Sequence, residues 1–119
     1  MNYRHAFHAG NFADVFKHCV LSRIVAHLLA KPAAFRVIDT HAGAGVYDLT
    51  ASEPNRTGEW RLGINRLFTA SVSAEARVLM APYLEAVGAL NPGGRLARYP
   101  GAPQLVRAFK RAQDRQIAC

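Results

Sequence analysis

The chain is short of cysteine and of acidic residues, and it has no long apolar run. Its two cysteines, Cys19 and Cys119, make no metal-ligand spacing and no disulfide framework, so both read as buried or incidental. No stretch approaches the roughly 18 consecutive apolar residues that a membrane span requires. Half of the 119 residues are nonetheless hydrophobic, which predicts a soluble, globular chain with a single modest core. The opening Met1-Asn2-Tyr3-Arg4-His5 is not followed at once by an apolar signal core, which argues against secretion and makes the cytoplasm the default. Neither an internal repeat nor a low-complexity tract is visible. Eight acidic residues stand against fifteen basic ones, a formal net charge of +7. Lys and Arg gain affinity by releasing counterions condensed on phosphates, so the excess makes a polyanionic partner plausible. Yet Arg56, Arg61, Arg66, Arg95, Arg98 and Arg107 are separated by apolar positions, a spacing that equally fits solvated helix faces.

The most informative segment is Asp39-Thr40-His41-Ala42-Gly43-Ala44-Gly45, directly behind the apolar run Phe35-Arg36-Val37-Ile38. It reads as a strand, with β-branched Val37 and Ile38 suited to cover on both faces, ending in a glycine-rich turn. Open α/β sheets bind ligands where strands end in such turns. Gly43 and Gly45 permit backbone angles and close approaches that a side chain forbids. Two glycines in the pattern G-x-G suit a cofactor cradle and a plain structural turn alike.

Around this turn the sequence predicts a helix from Asn11 or Asp14 to about Ala30, ended by Lys31-Pro32, with Phe16, Val20, Ile24 and Leu28 as its apolar stripe. Tyr47 to Asn55 reads as irregular chain, after which Thr57 is expected to cap a helix whose face carries Trp60, Ile64, Leu67 and Phe68. A further helix follows Ser73, with Val78, Leu79, Tyr83, Leu84 and Val87, and is expected to bend or break at Pro82. Asn91-Pro92-Gly93-Gly94 is a turn and Leu96 to Tyr99 a short returning strand. Pro103 opens a helix to about Arg111, and Gln116 to Cys119 begins another strand. This order predicts an α/β sheet with an insertion after its first strand, leaving open edges that need further strands.

Tyr3 to His18 concentrates three histidines, a tyrosine, an arginine and a lysine. A metal site at His5, His8 and His18 lacks a supporting cysteine. In the bland reading, Arg4 and His5 are solvated and His8 bonds to its own turn. In the sharper one, Lys17 and His18 lie beside the glycine-rich turn and meet an anionic carboxylate or phosphate.

Tyr3-Arg4-His5-x-Phe7-His8-Ala9-Gly10-Asn11-x-Ala13-Asp14-Val15-x-Lys17-His18, followed by Asp39-Thr40-His41-Ala42-Gly43-Ala44-Gly45-x-Tyr47, closely resembles the ribosomal RNA large subunit methyltransferase J family. The likeness continues through Arg56-Thr57-Gly58-Glu59 and Tyr99-Pro100-Gly101-x-Pro103. It implies a Rossmann-like, S-adenosylmethionine-dependent methyltransferase fold, of which residues 1–119 are the N-terminal part and 48–94 an inserted helical subdomain. It also implies methyl transfer to the N6 of an adenine in 23S rRNA, without a metal. Through the same resemblance, Tyr3 contacts substrate RNA, while His18 and His41 contact the cofactor with Lys17 and Gly43 beside them. Ala102 stands at a further cofactor position where serine is common, so only a backbone contact survives there. Asp39 resembles the acidic end of the cofactor motif and is equally suited to brace the turn. The family's Asp-Pro-Pro-aromatic motif, which holds the adenine amino group, is not in this chain, nor is the acidic residue expected to hold the cofactor ribose. No catalytic residue is therefore expected before Cys119, the fold is expected to be incomplete, and the isolated chain is expected to be inactive. A non-catalytic RNA- or cofactor-binding module is the rival reading.

Overall fold

A computed structural model describes residues 3–119 as a mixed α/β arrangement with a short parallel strand pair. Helix α1, Phe12–Leu29, begins where the Asn11 side chain accepts the Asp14 amide at 2.9 Å, the capping bond expected of asparagine. The stripe expected to face inward instead faces out: Phe16 is 73% exposed and Ile24 53%, while Asp14, His18, Ser22 and Val25 are buried. The helix is apolar on several sides, so periodicity alone does not choose its inner face; a polar network does, as described below.

Strand β1, Arg36–Asp39, runs parallel to β4, Arg115–Ala118, pairing Val37 with Gln116 and Ile38 with Ile117. The expected cover on both faces is absent among the described residues. Exposure alternates along β1, and Ile38 and Ile117 both face solvent, because helices cover only one side of this two-stranded sheet. Helix α6, Ala102–Phe109, precedes β4 and carries Pro103 in its first turn, as expected of a residue with no amide to satisfy.

The stretch read as irregular contains strand β2, Val46–Asp48, and helix α2, Ser52–Thr57. β2 pairs antiparallel with β3, Arg98–Pro100, setting Tyr47 opposite Tyr99. Thr57 ends α2 instead of capping the next helix, and its hydroxyl donates to the Phe7 carbonyl. Gly58, in the left-handed region at φ 65°, then separates α2 from α3, Glu59–Leu62. The single helix expected here is broken again before α4, Ile64–Thr69, where Gly63 packs against the Gly10 carbonyl so closely that a Cβ would collide with it.

Helix α5, Ala74–Ala89, is capped by Ser73 and continues unbroken through Pro82. Its Tyr83 and Val87 are buried, whereas Val78 and Leu79 are exposed. After α5 the buried Asn91 amide donates to the carbonyls of Val87 and Arg98 and accepts the amides of Ala97 and Arg98. The turn is thereby fixed between α5 and β3. Tyr47, Leu49, Ile64, Tyr83, Tyr99 and Leu105 form the heart of the core. Among the described residues, no helix is long and apolar enough to cross a membrane.

Candidate functional site

Three segments converge on one cleft of about 730 Å³: the N-terminal stretch with the start of α1, the turn after β1, and the junction of β3 with α6. Tyr3, Lys17, His18, His41, Gly43 and Ala102 all line it, so every site residue taken from the sequence faces the same cleft. His5, Thr40, Tyr47 and Gly101 line it too. The sequence reading gave none of these four a role there, although all four stand inside the motifs that carried the family resemblance.

The turn is built by main-chain chemistry. Asp39 accepts the His41 amide on its side chain at 3.1 Å, which is the bracing role foreseen for it. The Cys119 carbonyl accepts the Ala42 amide, tying the turn to β4. Gly43 has φ 64°, and a Cβ there would come within 2.8 Å of the Tyr47 hydroxyl, so glycine is required on both counts. Gly45 lies outside the positive-φ set; its carbonyl instead accepts the Gly101 amide at 2.8 Å. The Tyr47 hydroxyl accepts the Ala44 amide and completes the loop.

On the opposite wall, residues 3–18 form a polar chain rather than the solvated stretch of the bland reading. Arg4 pairs with Glu53 at 2.6 Å and His8 with Glu59 at 2.7 Å, which fastens the short 3-10 turn His5–Phe7 to α2 and α3. The Tyr3 ring is 71% exposed and stacks parallel on His8, with centroids 5.4 Å apart. Its hydroxyl bonds His5 Nδ1 at 2.7 Å, and His5 Nε2 bonds Asp14 Oδ2 at 2.7 Å. Asp14 also accepts the Gly10 amide and pairs with Lys17 Nζ at 3.1 Å. Burial pushes the Asp14 carboxyl up, but the His5 bond, the nearby His18 and the Gly10 amide together outweigh it and hold the pKa at about 2.

His18 is 1% exposed, and burial lowers its pKa to about 4 despite the attraction of Asp14, so the ring is neutral at pH 7. Its Nδ1 bonds the Tyr99 hydroxyl at 2.8 Å, and that hydroxyl bonds the one on Tyr83 at 2.9 Å. Burial raises the pKa of both tyrosines, which remain protonated. His18 Nε2 is buried and has no hydrogen-bond partner among the described residues. A buried polar atom left without a partner is costly, and a ligand is one way to satisfy it. Among the described residues, no three His, Cys, Asp or Glu side chains are grouped to hold a metal.

The family model described as "Ribosomal RNA large subunit methyltransferase D, RlmJ" matches residues 32–119. The chain is 44% identical over 115 residues to ribosomal RNA large subunit methyltransferase J of Escherichia coli (strain K12), a match covering 96% of this chain and 40% of the relative. The Haemophilus influenzae protein of the same name is 41% identical over 118 residues, covering 98% of this chain and 41% of the relative. A crystal structure of a Legionella pneumophila protein superposes with a TM-score of 0.80 at 33% identity, covering 93% of this chain and 39% of that one. The chain thus spans about two fifths of the length of the proteins it matches.

Proposed function

The chain belongs to the RlmJ family of ribosomal RNA large subunit methyltransferases, and on that premise we propose that its cleft is the N-terminal wall of an S-adenosylmethionine site in a cytoplasmic 23S rRNA adenine-N6 methyltransferase. In this reading the α/β core is the first part of a Rossmann-like methyltransferase fold and residues 48–94 are its inserted helical subdomain. The observation that carries the reading is the buried, unpartnered Nε2 of His18 in a cleft that also gathers Lys17, His41, Gly43 and Ala102.

These residues fit the cofactor chemically. With Tyr99 donating to Nδ1, the His18 proton sits on Nε2 and serves as a neutral donor to a carboxylate. Lys17 brings positive charge to the same wall, and Asp14, held ionised, keeps its ammonium in place. Gly43 carries the turn through a positive φ at the cleft, and His41 stands beside it there. S-adenosylmethionine, when bound, supplies an electrophilic sulfonium methyl group. Tyr3, stacked on His8 and anchored through His5 to Asp14, presents an exposed ring on which an extruded adenine stacks. The groups that hold the acceptor amine lie in the part of the family's polypeptide that this chain does not span.

Two measurements test the proposal. His41→Ala in a full-length version should weaken S-adenosylmethionine binding at least tenfold in calorimetric titration and leave RNA binding largely intact; unchanged cofactor affinity removes His41 from the site. The isolated 119-residue chain should transfer no labelled methyl group to unmodified 23S rRNA, and incorporation above background would show that it positions the acceptor by itself.

A further inference from the structure

The motif Arg56-Thr57-Gly58-Glu59 carried part of the family resemblance, yet none of it lines the cleft. Three of its residues have structural roles. Thr57 donates to the Phe7 carbonyl, Glu59 pairs with His8 at 2.7 Å, and Gly58 turns the chain from α2 into α3 at φ 65°. Arg56 is exposed and has no such role. Glu53 and Glu59 stand three residues before and after it, the spacing at which helix ion pairs form, but Glu53 is taken by Arg4 at 2.6 Å and Glu59 by His8. Asp48, the remaining acid of residues 46–73, lies across the strand pair from Arg98 and accepts the Thr50 hydroxyl. Arg56, Arg61 and Arg66 of the same segment are therefore exposed and form no ion pair among the described residues. Arg61 is nevertheless held in place. Its guanidinium lies 5.1 Å over the Trp60 ring, donates to Asn55 Oδ1 at 3.1 Å, and fills the space that a side chain at Gly58 would take. Asn55 precedes Arg56 in α2, so both arginines border the Gly58 turn.

Guanidinium groups without a carboxylate suit phosphate, whose oxygens accept their paired donors. The place of these two suits an RNA backbone. Glu59, two residues before Arg61, is bonded to His8, and the Tyr3 ring stacks on His8. The turn that carries both arginines is thus fastened to the same histidine that supports Tyr3. We infer that Arg56 and Arg61 grip the RNA phosphates flanking the adenine that Tyr3 receives, which makes the α2–α3 turn the part of this chain that holds the RNA backbone. An extruded nucleotide needs its neighbouring backbone held, and phosphate contacts set register without reading sequence. The inference rests on the proposed role of Tyr3 and extends it from the base to the backbone.

The test is fluorescence anisotropy of the chain with a short, labelled, adenine-containing single-stranded RNA over a range of salt concentrations. Arg56→Gln and Arg61→Gln should each weaken binding roughly fivefold and lower the slope of log affinity against log salt by about 0.7, the share of one phosphate contact on a single strand. Arg56→Lys keeps the charge and should keep the slope. Arg23→Gln removes the same charge from α1, away from the turn, and should leave the slope unchanged. The melting temperature of Arg56→Gln should equal that of the wild type, because the side chain is exposed and unpaired. Three results would overturn the inference: no RNA binding by the wild-type chain, an unchanged slope in both arginine variants, or a slope lowered equally by Arg23→Gln. Tyr3→Ala should weaken binding and leave the slope alone, since it removes stacking and no charge. If Tyr3→Ala leaves affinity unchanged while the arginine variants behave as described, the backbone grip stands and the proposed role of Tyr3 falls instead.

Discussion

Acidification should unfold this chain through His18, and the size of the effect follows from burial. The folded ring holds a pKa of about 4, against 6.5 for an ordinary histidine. Between those values the unfolded chain binds a proton that the folded chain does not, so stability falls as the pH falls. Above 6.5 the ring is neutral in both states and its contribution is constant. Each pH unit inside the window costs about 1.4 kcal/mol, so going from 6.5 to 4 should remove on the order of 3 kcal/mol. Asp14 acts in the same direction but lower. Its folded pKa of about 2 lies below the ordinary 3.8, so its contribution is present above 3.8 and is lost as the pH drops towards 2. The assay is a series of urea melts from pH 8 to 4 on the wild type and on His18→Asn, whose amide still offers Tyr99 a partner but does not titrate. His5 and His8 are present in both proteins and cancel in the difference. The difference should be flat above pH 6.5 and shrink by about 3 kcal/mol towards pH 4. Parallel curves across that range would refute the neutral buried ring.

Asn91→Ala removes four hydrogen bonds from a buried turn and leaves backbone groups of Val87, Ala97 and Arg98 short of partners, so it should cost roughly 2–4 kcal/mol in urea melts; a loss under about 0.5 kcal/mol would show that water replaces the amide. Gly101→Ala would drive a Cβ into the Ala44 carbonyl and should destabilise by roughly 1–3 kcal/mol while displacing the glycine-rich turn, seen as changed amide exchange at residues 42–45. An unchanged melt and exchange pattern would mean that the turn yields freely. Tyr3→Ala should leave stability within about 0.5 kcal/mol because the ring is exposed. In a full-length enzyme the same change should slow transfer by the equivalent of roughly 1–3 kcal/mol of base stacking, most of it retained in Tyr3→Phe. A large fall in melting temperature for Tyr3→Ala would make Tyr3 an anchor of the N-terminal turn instead.

Features decided by a few neighbouring residues were legible in the sequence. The Asn11 cap, the Pro103 start of α6, the Asn91–Gly94 turn and the strand before the glycine-rich turn depend on local backbone chemistry, and all stand where expected. Features decided by distant partners were not. Thr57 looked like a helix start because threonine caps helices, but the Phe7 carbonyl takes its hydroxyl. Pro82 looked like a bend or a break, yet α5 runs uninterrupted through it while Tyr83 and Val87 stay anchored in the core. That Lys17 and His18 lie beside the glycine-rich turn was one of two readings the residues left open, whereas the share of Ala102 in the cleft was legible only through the long motifs.

The orientation of α1 joins the fold to the site. Burying Phe16, Val20 and Ile24 would satisfy the stronger apolar stripe, but it would turn Asp14 and His18 away from their partners. Asp14 would lose the Gly10 amide and His5, and His18 would lose the Tyr99 hydroxyl. The Tyr99 hydroxyl, fully buried in the core, would then keep only Tyr83 as a partner. Stranding buried polar groups costs about as much per group as burying a large apolar side chain gains. Three linked groups therefore offset a stripe of three apolar side chains, and the helix stands with the polar groups inside. The polar network both turns the apolar face outward and sets Lys17 and His18 on the cleft wall. A substitution that frees α1 to rotate, such as His18→Leu with Asp14→Leu, should bury Phe16 and empty the cleft of both side chains. Increased protection of α1 in amide exchange, with cofactor binding abolished, would register that exchange of faces; unchanged exposure of Phe16 would show that packing against α5 and α6, and not the polar network, sets the helix.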